Sequence, residues 1–295
     1  MSKKLLFLFV FVGCIGFHSD AQSAGDFYKR AVAKYNQKDY AGAIIEYTRA
    51  IEIKSDAAVL YNNRGVCKFK LQRYSDAIQD YEKALKYDEK YVHAYFNKGN
   101  SYMGILEYEN ALIAYDKTLG LDKKYSKAYI NRAKVFFQLG DYKSSIEDIE
   151  YAMQFQLKKE QRQKLYLSYG NCLMKQLKYN DAVEKFSKAI QINTEYYKAY
   201  VNRGQCYLKM KDYESAIRDY NVSMKYDPLN GAGYYYRGLV RIDQVSAIKS
   251  SSKNKKSAKQ FKENEKLLQL ACSDFKKATE LSYGPAFEAQ KTYCK

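Results

Sequence analysis

Between Tyr197 and Asn230, aromatic and aliphatic residues recur three and four positions apart on either side of Lys211-Asp212, and Pro228 closes the stretch. That spacing lines the apolar side chains along one stripe of a helix, so it predicts a helix, a tight turn, a second helix and a stop. Laid over itself at a shift of 34, the chain repeats the pattern. Tyr61, Tyr95 and Tyr129 share one column, Gly65 and Gly99 another, and Ala77 and Ala111 a third. A period in this range belongs to stacked units that bury a face against the next, not to a closed core.

With Tyr197 taken as position 1, the units run 24–57, 58–91, 92–125, 126–162 with three extra residues, 163–196 and 197–230, and a seventh starts at 231. Tyr200, Gly204, Tyr207, Tyr213, Ala216, Tyr220, Ser223 and Pro228 occupy positions 4, 8, 11, 17, 20, 24, 27 and 32. These columns resemble the tetratricopeptide repeat, of an exported bacterial type. The resemblance implies an all-α fold: a right-handed superhelical solenoid of stacked antiparallel helix pairs with a C-terminal capping helix. Small residues at positions 8 and 20 would let paired helices approach while large rings fill the space between pairs. The first unit departs from the pattern with Ala31 at position 8. The fourth carries Ala133, Ser145 and Ile149 at positions 8, 20 and 24, and with no Gly or Pro to stop it, its second helix is expected to run on from Gln154 to Gln163.

The seventh unit starts normally over 231–245 and then fails to present its second helix on schedule. Residues 246–270 are rich in lysine and serine and show little periodicity before Phe261, which reads as a basic insertion in loop form, helical at most in its second half. Residues 271–295 restore a second helix around Ala271 and add a last helix from Gly284-Pro285 that would cover the face left open by the final repeat.

At the other end, Lys3 and Lys4 precede an apolar run from Leu5 to Phe17, and Ser19-Asp20-Ala21 offers a small-x-small cleavage site. Residues 1–21 therefore read as a secretory signal peptide, with the mature protein periplasmic or secreted and without a membrane span. A lipid anchor at Cys14 is the alternative, because Phe11-Val12-Gly13-Cys14 loosely resembles a bacterial lipobox, weakened by the leading Phe11 and the apolar Ile15-Gly16-Phe17 that follows. The formal charge is +17, so anionic partners are favoured. Nucleic acid is not, because the basic residues form neither an aromatic-bearing sheet nor a groove-reading helix. The 32 tyrosines are the packing residue of the repeat and carry no ligand chemistry of their own.

Position 7 is Arg30, Arg64, Arg132, Arg203 and Arg237 in five units, and in those five position 23 is Glu46, Asp80, Asp148, Asp219 and Asp274. Elsewhere Lys98 stands opposite Ala114 and Tyr169 opposite Lys185. An acid that appears only where the guanidinium does predicts an exposed ion pair between the two helices of each hairpin. Cys67, Cys172 and Cys206 share position 10 with other small residues and read as core thiols. Cys272 and Cys294 stand outside that column at similar distances from the turn at Gly284-Pro285, and export would let them form a disulfide. With His93 the one histidine after the leader, no phosphate-binding loop and no paired carboxylates, the sequence points to no catalytic residues, no metal and no cofactor.

In the family that the columns resemble, positions 2, 5, 6, 9, 12 and 13 of each first helix line the concave groove. Here they supply a lysine row beside an amide ladder: His93, Lys127, Lys164 and Lys198 at position 2, Asn97, Asn131 and Asn202 at position 6, and Asn100, Lys134, Asn171 and Gln205 at position 9. Ammonium groups would meet carboxylates and amides would bond an extended backbone, so the expected partner is an acidic peptide or protein segment. The family's clamp for a peptide C-terminus is matched only by Asn100, Asn131 and Lys164, because Phe96 and Ser168 replace basic residues. A free terminus is therefore not required. The alternative is an envelope structural or assembly protein whose basic surface or insertion contacts an anionic glycan or lipid.

Overall fold

Fifteen α-helices and no strand make up the described residues, 23–251 and 258–294, of the computed structural model. The proposed leader and Cys14 lie outside them. The chain divides into two compact units, Met1–Leu106 and Glu107–Lys295. In the first, α1 (Ala24–Asn36), α2 (Tyr40–Ile53), α3 (Ala58–Lys70), α4 (Tyr74–Tyr87) and α5 (Val92–Gly104) each pack on the next in sequence. The second is built the same way from α6 (Tyr108–Leu121), α7 (Ser126–Gln138), α8 (Tyr142–Met153), α9 (Lys159–Lys175) and α10 (Tyr179–Ile192), followed by α11 (Tyr197–Lys209) and α12 (Tyr213–Tyr226). It ends with α13 (Gly231–Ser251), α14 (Ala258–Glu280) and α15 (Gly284–Tyr293), the last packed on α14 where a capping helix is expected. This is the all-α arrangement of stacked antiparallel helix pairs that the 34-residue columns imply.

Each of the first six hairpins closes through a residue with positive φ at position 15: Lys38, Gln72, Leu106, Gly140, Leu177 and Lys211. The left-handed conformation reverses the chain within three residues, and only Gly140 adopts it without crowding from a Cβ. Asp39, Asp141 and Asp212 then cap the second helix by accepting from the backbone N–H of Gly42, Ser144 and Ser215.

The pairs close on a ring packed over a glycine. A Cβ built on Gly65, Gly170, Gly204 or Gly238 would stand 2.7, 2.5, 2.7 and 2.6 Å from the ring of Tyr81, Phe186, Tyr220 or Phe275. These rings, all at position 24, are buried, as are the position 10 thiols of Cys67, Cys172 and Cys206. Desolvation pushes the thiols of Cys67 and Cys206 up to about 12, which keeps them protonated core residues.

The expected ion pairs form. Nε and a terminal nitrogen of Arg64 donate to Asp80 at 2.9 and 2.7 Å, those of Arg132 to Asp148 at 2.8 and 2.7 Å, and those of Arg203 to Asp219 at 2.8 and 2.7 Å. Arg237 holds Asp274 at 3.0 and 2.7 Å, and Arg30 stands 3.3 Å from Glu46. The expectation that they are exposed is corrected, because all five carboxylates are buried. Burial raises the Asp148 and Asp219 carboxyls above the ordinary carboxylate range, and the guanidinium works against that shift. A raised carboxyl favours the fold below its unfolded pKa and loses that advantage as pH rises through the folded one, so at neutral pH these pairs set geometry more than they add stability.

The guanidinium also does something the columns did not predict. Its remaining nitrogen reaches position 25 of the preceding repeat: Arg64 to Thr48 at 3.0 Å, Arg132 to Asp116 at 2.6 Å, Arg203 to Ser187 at 2.8 Å and Arg237 to Asn221 at 2.5 Å. Where position 7 is not Arg, the link survives with other chemistry. Lys98 pairs with Glu82 at 2.8 Å, and the Tyr169 hydroxyl donates to Glu150 at 2.5 Å. Position 7 thus ties one hairpin together and also joins it to its neighbour.

Two sequence expectations change. The second helix of the fourth repeat stops at Met153 and does not run to Gln163, because Phe155 turns back to pack edge-on against Tyr151 and alongside Tyr129. The extra residues go instead to α9, which gains a turn at its start, where the Gln161 side chain accepts from the Lys158 backbone N–H. The insertion 246–270 is largely helix on both sides of 252–257. Its Lys, Glu, Gln and Leu residues favour helix and contain no Gly or Pro, so α13 and α14 both lengthen. Near the far end of the chain, the sulfurs of Cys272 and Cys294 lie 2.07 Å apart and their Cα atoms 5.5 Å apart.

Two stability changes follow from this packing. Arg203→Met leaves Asp219 buried without its fork and should cost about 3 kcal/mol, whereas Arg203→Met combined with Asp219→Leu should recover most of that loss. Urea denaturation followed by circular dichroism checks it, and equal losses in the single and double variants would contradict the reading. Leu177→Gly relieves a left-handed Cβ at an exposed turn and should raise stability by about 0.5 kcal/mol once the greater chain entropy of glycine is subtracted, read from the same denaturation curves.

Candidate functional site

The eleven residues expected to bind a partner all lie on first helices: His93, Asn97 and Asn100 on α5 of the first unit, and Lys127, Asn131, Lys134, Lys164, Asn171, Lys198, Asn202 and Gln205 on α7, α9 and α11 of the second. In the first unit, Asn97 donates to Asn62 of α3 at 3.0 Å, and the exposed His93 ring stands edge-on to Tyr91. In the second, positions 2 and 9 are two turns apart, so Lys127 and Lys134 share a face of α7, Lys164 and Asn171 a face of α9, and Lys198 and Gln205 a face of α11. A hydrogen bond of 2.7 Å from Asn202 to Asn171 ties α11 to α9 on that face.

The four lysines of this face are exposed, and none of the described carboxylates forms an ion pair with them. Lys134 is depressed below the usual lysine range, first by desolvation and then by the nearby Lys164 ammonium, even though much of its side chain stays open to solvent. Two like charges that share the lining of one recess with no carboxylate paired to them make the local potential positive.

The amides are less free than the columns suggested. Asn131 accepts from Lys134 at 3.0 Å and pairs with the buried Tyr115 hydroxyl, and Asn63 pairs with Tyr47 in the same way. In these two places a position 6 Asn satisfies the phenol of the preceding repeat, whereas Asn97 and Asn202 bond to Asn62 and Asn171. Part of the amide ladder therefore serves the fold rather than a ligand backbone.

Sequence reasoning missed a pocket of ≈ 300 Å³ between α7, α8 and α9. Ile130, Phe137, Ile149 and Leu165 supply its apolar wall, Ala133, Ser145 and Cys172 its floor, and Lys134, Lys164, Ser168 and Asn171 stand among its lining. The floor is polar only in name: Ser145 donates to the Ala133 carbonyl at 2.8 Å, and the Cys172 thiol meets Ser145 at 3.3 Å. The cause is volume. Position 24 holds a buried ring in the first, second, third, fifth, sixth and seventh repeats but Ile149 in the fourth, and a β-branched aliphatic leaves empty the space a phenol would fill. The signal was present in the column departures at 133, 145 and 149. Among the described residues no group of three His, Cys, Asp or Glu could hold a metal, and no helix is long and apolar enough to cross a membrane.

Two family models, both described as tetratricopeptide repeat, match the chain, one over residues 58–91 and 197–228 and the other over 92–125 and 126–156. No curated protein sequence matches. Among solved structures, a tetratricopeptide repeat protein from Parabacteroides merdae is similar at 19% identity and a TM-score of 0.65, covering 93% of this chain and 100% of its own. The C-terminal part of a TPR repeat-containing protein from Cytophaga hutchinsonii is similar at 17% identity and a TM-score of 0.63, covering 88% of this chain and 98% of its own. MamA protein is similar at 22% identity and a TM-score of 0.54, covering 58% of this chain and 92% of its own. These identities speak to fold alone. The repeat matches, read with the stacked helix pairs, show that this chain carries tetratricopeptide repeats over residues 58–156 and 197–228.

Proposed function

We propose that the protein is an exported, non-catalytic interaction scaffold that binds an acidic peptide or protein segment along the first-helix face of α7, α9 and α11. The repeats support a protein–protein interaction scaffold in general. The observation that favours an acidic partner is the set of exposed lysines, Lys127, Lys134, Lys164 and Lys198, with no described carboxylate paired to them. Ammonium groups on this face that no described carboxylate neutralises raise the local concentration of an anionic segment and orient it. Export is supported by the leader pattern of residues 1–21, and an oxidising compartment suits a disulfide between Cys272 and Cys294.

Replacing Lys127, Lys134, Lys164 and Lys198 together with Glu should weaken binding of a fluorescein-labelled glutamate-rich peptide by at least about tenfold at low salt and flatten its salt dependence. Fluorescence anisotropy across ionic strength measures both. Unchanged affinity and slope in a folded variant would remove this face as the site. Non-reducing peptide mapping of protein purified from its native compartment should yield the Cys272 and Cys294 peptides as one linked species, and free thiols at both positions would refute the bond.

A further inference from the structure

The pocket between α7, α8 and α9 has an apolar wall and counts two lysines of the proposed face, Lys134 and Lys164, among its lining. In the second, fifth, sixth and seventh repeats the corresponding space is filled from within, by Tyr81, Phe186, Tyr220 and Phe275 packed against a glycine. In the fourth, the protein supplies Ile149 and leaves the remaining volume open beside Lys134 and Lys164. An apolar recess of ≈ 300 Å³ has room for one large side chain. The two ammonium groups at its edge select what stands next to that side chain.

We propose that this pocket receives a phenylalanine-like or leucine-like side chain of the bound segment, in the place of the missing position 24 ring, while an adjacent carboxylate of the same segment meets Lys134 and Lys164. The proposal rests on the acidic-segment reading above and narrows it, from any acidic stretch to one with a large apolar residue among its acids. The hydroxyl of Ser145 and the thiol of Cys172 are already committed to partners inside the protein, so the floor offers a guest no polar bond and discriminates by size and apolarity. Burying such a side chain in a preformed recess gives the interface an anchor that charge alone lacks.

The test uses two capped, fluorescein-labelled peptides that differ only at their centre, phenylalanine in one and alanine in the other, each flanked by two glutamates on both sides. The full-length mature protein should bind the phenylalanine peptide at least about tenfold tighter. Ile149→Tyr restores the ring, and the first pair already packs Tyr47 in one core with Ala31, so a ring beside Ala133 repeats a combination this chain contains. That variant should bind both peptides with the affinity the parent shows for the alanine peptide. Nuclear Overhauser contacts from the phenyl ring to the Ile130 and Ile149 methyls in the unmodified protein provide a readout that needs no variant. Equal affinity of the parent for the two peptides, absence of those contacts, or a preference that persists in a folded Ile149→Tyr protein would overturn the pocket while leaving the lysine face standing. Binding of neither peptide, or binding indifferent to reversal of the four lysines, would overturn the acidic-segment reading and the pocket with it.

Discussion

The contact on which most of the structure depends is a position 24 ring lying against a position 8 glycine, made in the second, fifth, sixth and seventh helix pairs. With rings less than 3 Å from where a Cβ would stand on Gly65, Gly170, Gly204 and Gly238, the paired helices have little freedom to slide or separate. The buried fork joins the same two helices: Arg64 or Arg203 on the first grips Asp80 or Asp219 on the second with two parallel bonds, and Arg132 grips Asp148 in the same way in the fourth pair, where no ring lies over a glycine.

From the same position 7 the structure gains its link between repeats. A buried carboxylate orients the guanidinium, and the nitrogen left over points at position 25 of the preceding unit. Substituting Lys98 or Tyr169 changes the donor and keeps the link, since Glu82 and Glu150 supply a carboxylate where Thr48 or Ser187 needs only a hydroxyl. Nearest-neighbour contacts of this kind are what a stacked architecture has in place of a common core. Because burial lifts Asp148 and Asp219 while Arg132 and Arg203 oppose it, the contribution of these pairs is mainly to register and spacing.

Function, in this reading, begins where the packing rule lapses. The fourth repeat replaces the ring with Ile149 and the glycine with Ala133, and the volume lost on one side is not recovered on the other. The opening lies beside Lys134 and Lys164, which no described carboxylate neutralises, so an apolar recess and a cationic edge share one face. The amides that might have served a ligand are partly drawn into the fold, because a buried tyrosine hydroxyl such as that of Tyr115 needs a partner and Asn131 is the one within reach.

The helix pairs, their three-residue turns and the Arg-to-acid pairing were legible in the sequence, because each depends on residues a fixed number of positions apart on one or two helices. A period of 34 states which side chains share a face. It does not state what the face meets. The reach of Arg203 to Ser187 joins two repeats, and the pocket is bounded by three helices at once; neither distance is written in a column of one repeat. The lysine row was visible as a column, but its lack of neutralising partners appeared only with the surrounding side chains in place. Helix in much of 246–270 was obscured by lysines and serines that blur the apolar stripe, although its residues favour helix locally. Local periodicity thus determined the elements and their pairing, and the summed volumes and charges of neighbouring repeats decided where the fold leaves an opening.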